Sequence, residues 1–187
     1  MACSDSGTSS FDAGDVCPEN GVNAYGDPNR GTFTDERDGQ EYKYTTIGNQ
    51  VWMAENLKFE TPYRENCASL SLCTYTLKEN STHSGKLDQD RLDTLCPTGW
   101  HVPSLDEWLL LVDNMGGVGQ RLSPYFGTDN CKFNSIGREL ESYSASYWTS
   151  TQYDKFWSYR VVIHRRNDGF VADENNEKEM LVRCLKD

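Results

Sequence analysis

The sequence predicts an α+β domain of small antiparallel sheets, one or two helices and long loops, stapled by disulfides. Three observations carry this expectation. Short segments rich in β-branched and aromatic residues stand on both sides of one well-marked helix. Seven cysteines are present, and with Cys3 set aside the remaining six are spread along the chain. Hydrophobic residues make up only 36% of the chain and aromatic residues 12%, so a core must come from a few large rings.

Residues 1–31 are rich in Ser, Gly, Asp, Asn and Pro and read as a tether, ordered in part around Cys17. The domain is expected over 32–187. It opens with an antiparallel meander. Asp38-Gly39 is a hairpin turn signal, Glu41 to Ile47 a strand, Gly48-Asn49 a second turn, and Val51 to Ala54 a third short strand. Residues 58–95 read as irregular, with a short helix over Lys86 to Leu92. Cys67 and Cys73 are close enough in sequence for a local staple.

The best helix starts after Ser104. Ser104 and Glu107 have capping-box spacing, and Leu105, Trp108, Leu109, Val112 and Met115 recur at helical spacing before Gly116-Gly117 ends the run. Strands follow at Tyr147 to Thr151 and Phe156 to Arg165. A turn at Asn167-Asp168-Gly169 leads to Phe170-Val171-Ala172, a polar loop runs from Asp173 to Lys178, and a last strand covers Met180 to Leu185.

Composition also excludes functions. A net charge of −11 repels polyanions, so no nucleic-acid partner is expected. No stretch approaches the roughly 20 apolar residues that a spanning helix needs. Cys3, followed by small polar residues, reads as a lipidation cysteine ahead of a surface tether; the plainer reading is a tail thiol. Six dispersed cysteines point to an oxidising compartment. No Cys-x-x-Cys, His-Glu-x-x-His or Gly-x-Ser-x-Gly occurs. His101, just ahead of the helix cap, reads as a structural hydrogen-bonder, and His164, beside Arg165 and Arg166, as exposed. No catalytic residue is singled out.

Two groups of residues carry the binding expectations. The acidic-amide stretch Asp173, Glu174, Asn175 and Glu177 offers the hard oxygen ligands that calcium prefers, although such residues also suit a solvated loop. No cofactor is expected, and calcium is the one ion these residues could take. Among the aromatic residues near the C-terminal strands, Trp148 reads as core, whereas Tyr153 and Trp157 flank a loop. Recognition groups usually sit on long loops of a rigid scaffold. Tyr153, Trp157, Arg165 and Arg166 are accordingly the contact candidates.

Four blocks of the sequence resemble the Fibrobacter succinogenes major paralogous domain. They are Phe33 to Tyr42 running on to Ile47 to Leu57, Cys96-Pro97-Thr98-Gly99-Trp100-His101-Val102-Pro103-Ser104 with Glu107-Trp108, Tyr147 to Thr151, and Val182-Arg183-Cys184-Leu185. The resemblance implies a C-type-lectin-like fold on exported bacterial proteins, often lipoproteins, with no established catalysis and no agreed ligand. This chain departs from the family where a Gly-Arg-Leu-Tyr-x-Trp helix is usual. Ser84 to Asp90 stand there without the aromatics, so that helix should be shortened or repacked. The Trp-Asn-Asp and Glu-Pro-Asn triplets of sugar-binding animal C-type lectins are absent. So is an identifiable reactive cysteine pair of the related formylglycine-generating enzymes.

A lectin-like fold, with its last strand beside the first, implies a bond from Cys96 to Cys184. Cys67 with Cys73 then leaves Cys17 for Cys131. The expected function is noncatalytic recognition at the cell envelope or outer surface, with a polysaccharide or a surface protein as partner. A spacer domain without a ligand is the alternative, and a cryptic hydrolase the third.

Overall fold

The computed structural model describes residues 13–67, 73–78, 87–115, 131, 144–154, 157–164, 170–175 and 179–187. In chain order the elements are α1 (Ala13–Val16), β1 (Arg30–Thr34), β2 (Glu41–Ile47), β3 (Gln50–Met53), β4 (Arg64–Cys67), β5 (Cys73–Tyr75), α2 (Gln89–Leu95), β6 (Trp100–His101), α3 (Leu105–Asn114), β7 (Ser144–Gln152), β8 (Ser158–His164), β9 (Phe170–Asn175) and β10 (Leu185–Lys186). The strands form a five-stranded sheet in the order β1-β2-β3-β10-β6, a β4-β5 hairpin and a β7-β8-β9 meander. All these pairings are antiparallel. The α+β expectation is met, with small sheets and, among the named elements of the described residues, two helices beyond the single turn of α1.

Both sequence turns of the opening meander are present. Gly39 (φ +76°) closes the β1–β2 turn, where its N–H donates to Asp35 O at 2.8 Å. Gly48 sits at φ +59° between Ile47 and Gln50, and a side chain there would also meet the Asn114 amide. Only glycine fits on both counts.

The five-stranded sheet separates two hydrophobic cores, because successive strand residues point to opposite faces. Trp52 faces Trp108, Leu111, Tyr147 and Leu185, while its neighbour Met53 faces Tyr75, Leu95, Trp148 and Val182. Tyr147 and Trp148 divide in the same way. Burying a large apolar side chain stabilises by roughly 1.5–3 kcal/mol, so each face contributes substantially.

Several elements differ from the sequence expectations. The helix expected over Lys86–Leu92 lies at Gln89–Leu95, because Asp88 is its N-cap and accepts from Arg91 N. The stretch 58–95, read as irregular, contains a hairpin as well as this helix. Met180 to Leu185 is not one strand. Met180 bridges Tyr75, Leu181 bridges Tyr147, Val182 O and Cys184 O accept from Leu57 and Met53, and only Leu185–Lys186 pairs as β10. That segment stitches all three sheets together. Its strand lies between β3 and β6 rather than beside β1. Asp173 to Asn175, expected to open a polar loop, belong to β9, which continues to Asn175.

The disulfides are Cys17–Cys131, Cys67–Cys73 and Cys96–Cys184. Three such bonds indicate an oxidising compartment. Cys17 is buried, Arg30 donates to its carbonyl at 2.8 Å, and Gly48 N donates to Val16 O at 2.6 Å. The tail is thus fastened from Val16 onward, and the boundary set at Thr32 falls inside β1. Cys3 lies outside the described residues. Among the described residues no helix is long and apolar enough to cross a membrane.

Candidate functional site

The β7–β8 hairpin ends in an aromatic tip. Tyr153 is 49% exposed, and its ring meets Tyr159 edge-on with centroids 5.3 Å apart. Trp157 beside it is half-buried. The tip is held by its own hydrogen bonds. Trp157 O accepts from Tyr153 N at 2.9 Å and from Asp154 N at 3.2 Å, and Asp154 Oδ1 accepts from Trp157 N at 2.9 Å. A register shift between Trp148 and Gln152 re-aims the end of β7. The buried Thr149 hydroxyl spans it, donating to Tyr159 O at 3.0 Å.

The base of this hairpin is tied to the start of α3. Ser150 N donates to Pro103 O at 2.9 Å, and Thr151 Oγ1 accepts from Leu105 N at 2.9 Å, satisfying one of the N–H groups a helix start leaves open. Ser104 and Glu107 form the capping box that their spacing predicts. Glu107 then reaches His101, whose Nε2 lies 2.9 Å from Oε1, while His101 Nδ1 lies 2.6 Å from Asp187 Oδ1. Burial works against the Glu107 charge, yet hydrogen bonds from His101 and Ser104 outweigh it and hold this carboxyl at about 2. The Glu107 hydrogen bond raises His101 above the ordinary histidine value; burial opposes the rise and Asp187 adds to it. His101 is the structural hydrogen-bonder that its position suggested.

Of the contact candidates, the structure brings Tyr153 and Trp157 together. Arg165 and Arg166 lie outside the described residues. Of the calcium candidates, Asp173, Glu174 and Asn175 are ladder positions of β9 rather than loop positions, opposite Arg160, Tyr159 and Ser158. This register puts Glu174 and Asn175 at the same end of the meander as the aromatic tip. Glu177 lies outside the described residues. Among the described residues no group of three or more His, Cys, Asp and Glu could hold a metal ion.

A second aromatic surface was not legible in the sequence. Phe33 of β1 stacks on Trp100 of β6 at 4.4 Å, although these strands are the two edges of the five-stranded sheet. The sheet therefore curls until its edges touch. Beside Trp100 in the ladder, Lys186 reaches Asp27 at 2.5 Å and lies 4.9 Å over the ring of Tyr25, itself 46% exposed. Only the fold brings Tyr25, Phe33 and Trp100 to one place.

Fold and surface together define a disulfide-stapled α+β domain with one exposed ring, Tyr153, on a hairpin tip and another, Tyr25, in the turn ahead of β1. The family model of the Fibrobacter succinogenes major domain matches residues 45–129. The resemblance read from the sequence is thereby borne out over that segment, which holds the Cys96–Ser104 block; the blocks at Tyr147 and Val182 lie beyond it. No curated protein and no solved structure matches the chain.

Proposed function

We propose that this domain is a noncatalytic recognition module of an exported bacterial surface protein, with a C-type-lectin-like fold, and that its hairpin tip binds extracellular polysaccharide. The exposed Tyr153, braced by Tyr159 and adjoining Trp157, is the observation that carries this reading. Rings held rigid by their own turn offer a flat apolar face at small entropic cost. The net charge of −11 favours a neutral polysaccharide over an anionic one. In the same reading Cys3 is the lipidation site and residues before Val16 the tether. Support for a noncatalytic role comes from His101, both of whose ring nitrogens are committed to carboxylates, and from Ser104, whose hydroxyl bonds Glu107 rather than a histidine.

A glycan array probed with the purified domain, in calcium and in chelator, tests the proposal. Binding to neutral glycans in both conditions supports the aromatic tip. Binding only in calcium would transfer the role to Asp173, Glu174, Asn175 and Glu177. Binding to none of the arrayed glycans would favour a spacer.

A further inference from the structure

His101 lies between two carboxylates contributed by separate elements. Its Nε2 is 2.9 Å from Glu107 Oε1 in the first turn of α3, and its Nδ1 is 2.6 Å from Asp187 Oδ1, just past β10. Ionised carboxylates only accept hydrogen bonds, and a neutral imidazole has only one N–H to donate. Both contacts can be satisfied together only by the imidazolium. The neutral polar groups nearby do not compete for the ring: Ser104 Oγ bonds Glu107 Oε2 at 2.8 Å, and Gln50 Nε2 bonds Glu107 O at 2.9 Å. The charged groups acting on the ring are Glu107 from the α3 side and Asp187 from the β10 side.

We propose that His101 is a proton-operated latch: its imidazolium ties the end of β10, through Asp187, to the start of α3, through Glu107, and loss of the proton releases Asp187. Glu107 is the arm that stays, because the Ser104 backbone N–H and hydroxyl hold its other oxygen at 2.7 and 2.8 Å. Asp187 is the arm that leaves, being 60% exposed at its side chain. The same helix start anchors the base of the β7–β8 hairpin at Leu105, so the latch joins the C-terminal strand to the support of the aromatic tip. None of this depends on what the tip binds.

Imidazole nitrogen NMR on the full chain tests the latch, with His101→Gln used to assign the signal among His83, His101 and His164. Three results are expected. Both His101 nitrogens carry protons at pH 6, and the ring titrates above the ordinary value of about 6.5. Amide exchange at Asp187, whose N–H donates to Gly99 O at 3.0 Å, accelerates over the same pH interval beyond its ordinary base-catalysed rise. In Asp187→Asn the midpoint falls and the extra acceleration disappears. A His101 midpoint at or below 6.5 would overturn the latch, as would a midpoint that Asp187→Asn leaves unchanged. Exchange at Asp187 that ignores the titration overturns it equally.

Discussion

At the scale of single residues, charge is placed where neighbouring groups define its value. Asp35 is fully buried, and although burial alone would raise its pKa, the Arg37 guanidinium and backbone N–H bring it below the usual carboxylate range. Arg37 in turn donates to Thr94 O and Leu95 O, closing the end of α2 onto the β1–β2 turn. Arg183, also fully buried, donates to Asn56 Oδ1 at 2.5 Å and lies 5.6 Å over the ring of Tyr147. The His101 cluster makes stability depend on pH in a stated direction. His101 is raised from 6.5, so its contribution is present below that pH and is lost as pH rises through the folded-state value. Glu107 is lowered from 4.5 to about 2, so its contribution is present above 4.5 and is lost as pH falls towards 2. The cluster therefore stabilises most between the two ordinary values. Thermal melts should show His101→Gln clearly less stable than the parent at pH 5.5 and closer to it at pH 9. A deficit that widened with pH would contradict the assignment.

Among the elements, α3 shows what local signals can do. Its capping box and the burial of Trp108, Val112 and Met115 agree with the sequence pattern, whereas Leu109, expected on the buried face, is exposed and Leu111 is buried instead. Ser104→Ala should cost about 1 kcal/mol, the usual penalty for a lost N-cap. A fall of roughly 2–4 °C in the melting temperature would register it, with Ser104→Asp retaining most of the stability. An unchanged melting temperature would mean the cap contributes nothing to the fold. The same local rules placed α2 early, because an acidic-amide stretch offers several caps and only tertiary packing of Leu92 and Leu95 selects Asp88. Strands β6 and β10 span two residues each, too short for any alternation to register. Their pairing is fixed by partners far away in sequence. Tyr153 was legible as exposed because turn residues surround it. Tyr25 was not, since nothing local marks a ring that the closing sheet brings against Lys186.

On the scale of the whole molecule, two cores and three sheets are joined by 180–186 and by the disulfides. Closing loops with sequence separations of 88 and 114 each removes about 5 kcal/mol of unfolded-state freedom in the chain-entropy model, against about 2 kcal/mol for the separation of 6. For a typical domain stability of about 5–15 kcal/mol, the two long bonds matter most. They fasten the tail to the α3 side and the end of α2 to β10, leaving the β7–β8 tip on a fixed scaffold. If that tip is the recognition surface, its rings should dominate affinity, as buried aromatic anchors do in other interfaces. The most direct test is equilibrium binding of Tyr153→Ala, beside the parent and Tyr25→Ala, to the best neutral polysaccharide from the array. Tyr153→Ala should weaken binding tenfold or more, about 1.4 kcal/mol, with an unchanged melting temperature, while Tyr25→Ala binds like the parent. Full affinity in Tyr153→Ala, or a loss confined to Tyr25→Ala, would contradict the assignment of recognition to the hairpin tip.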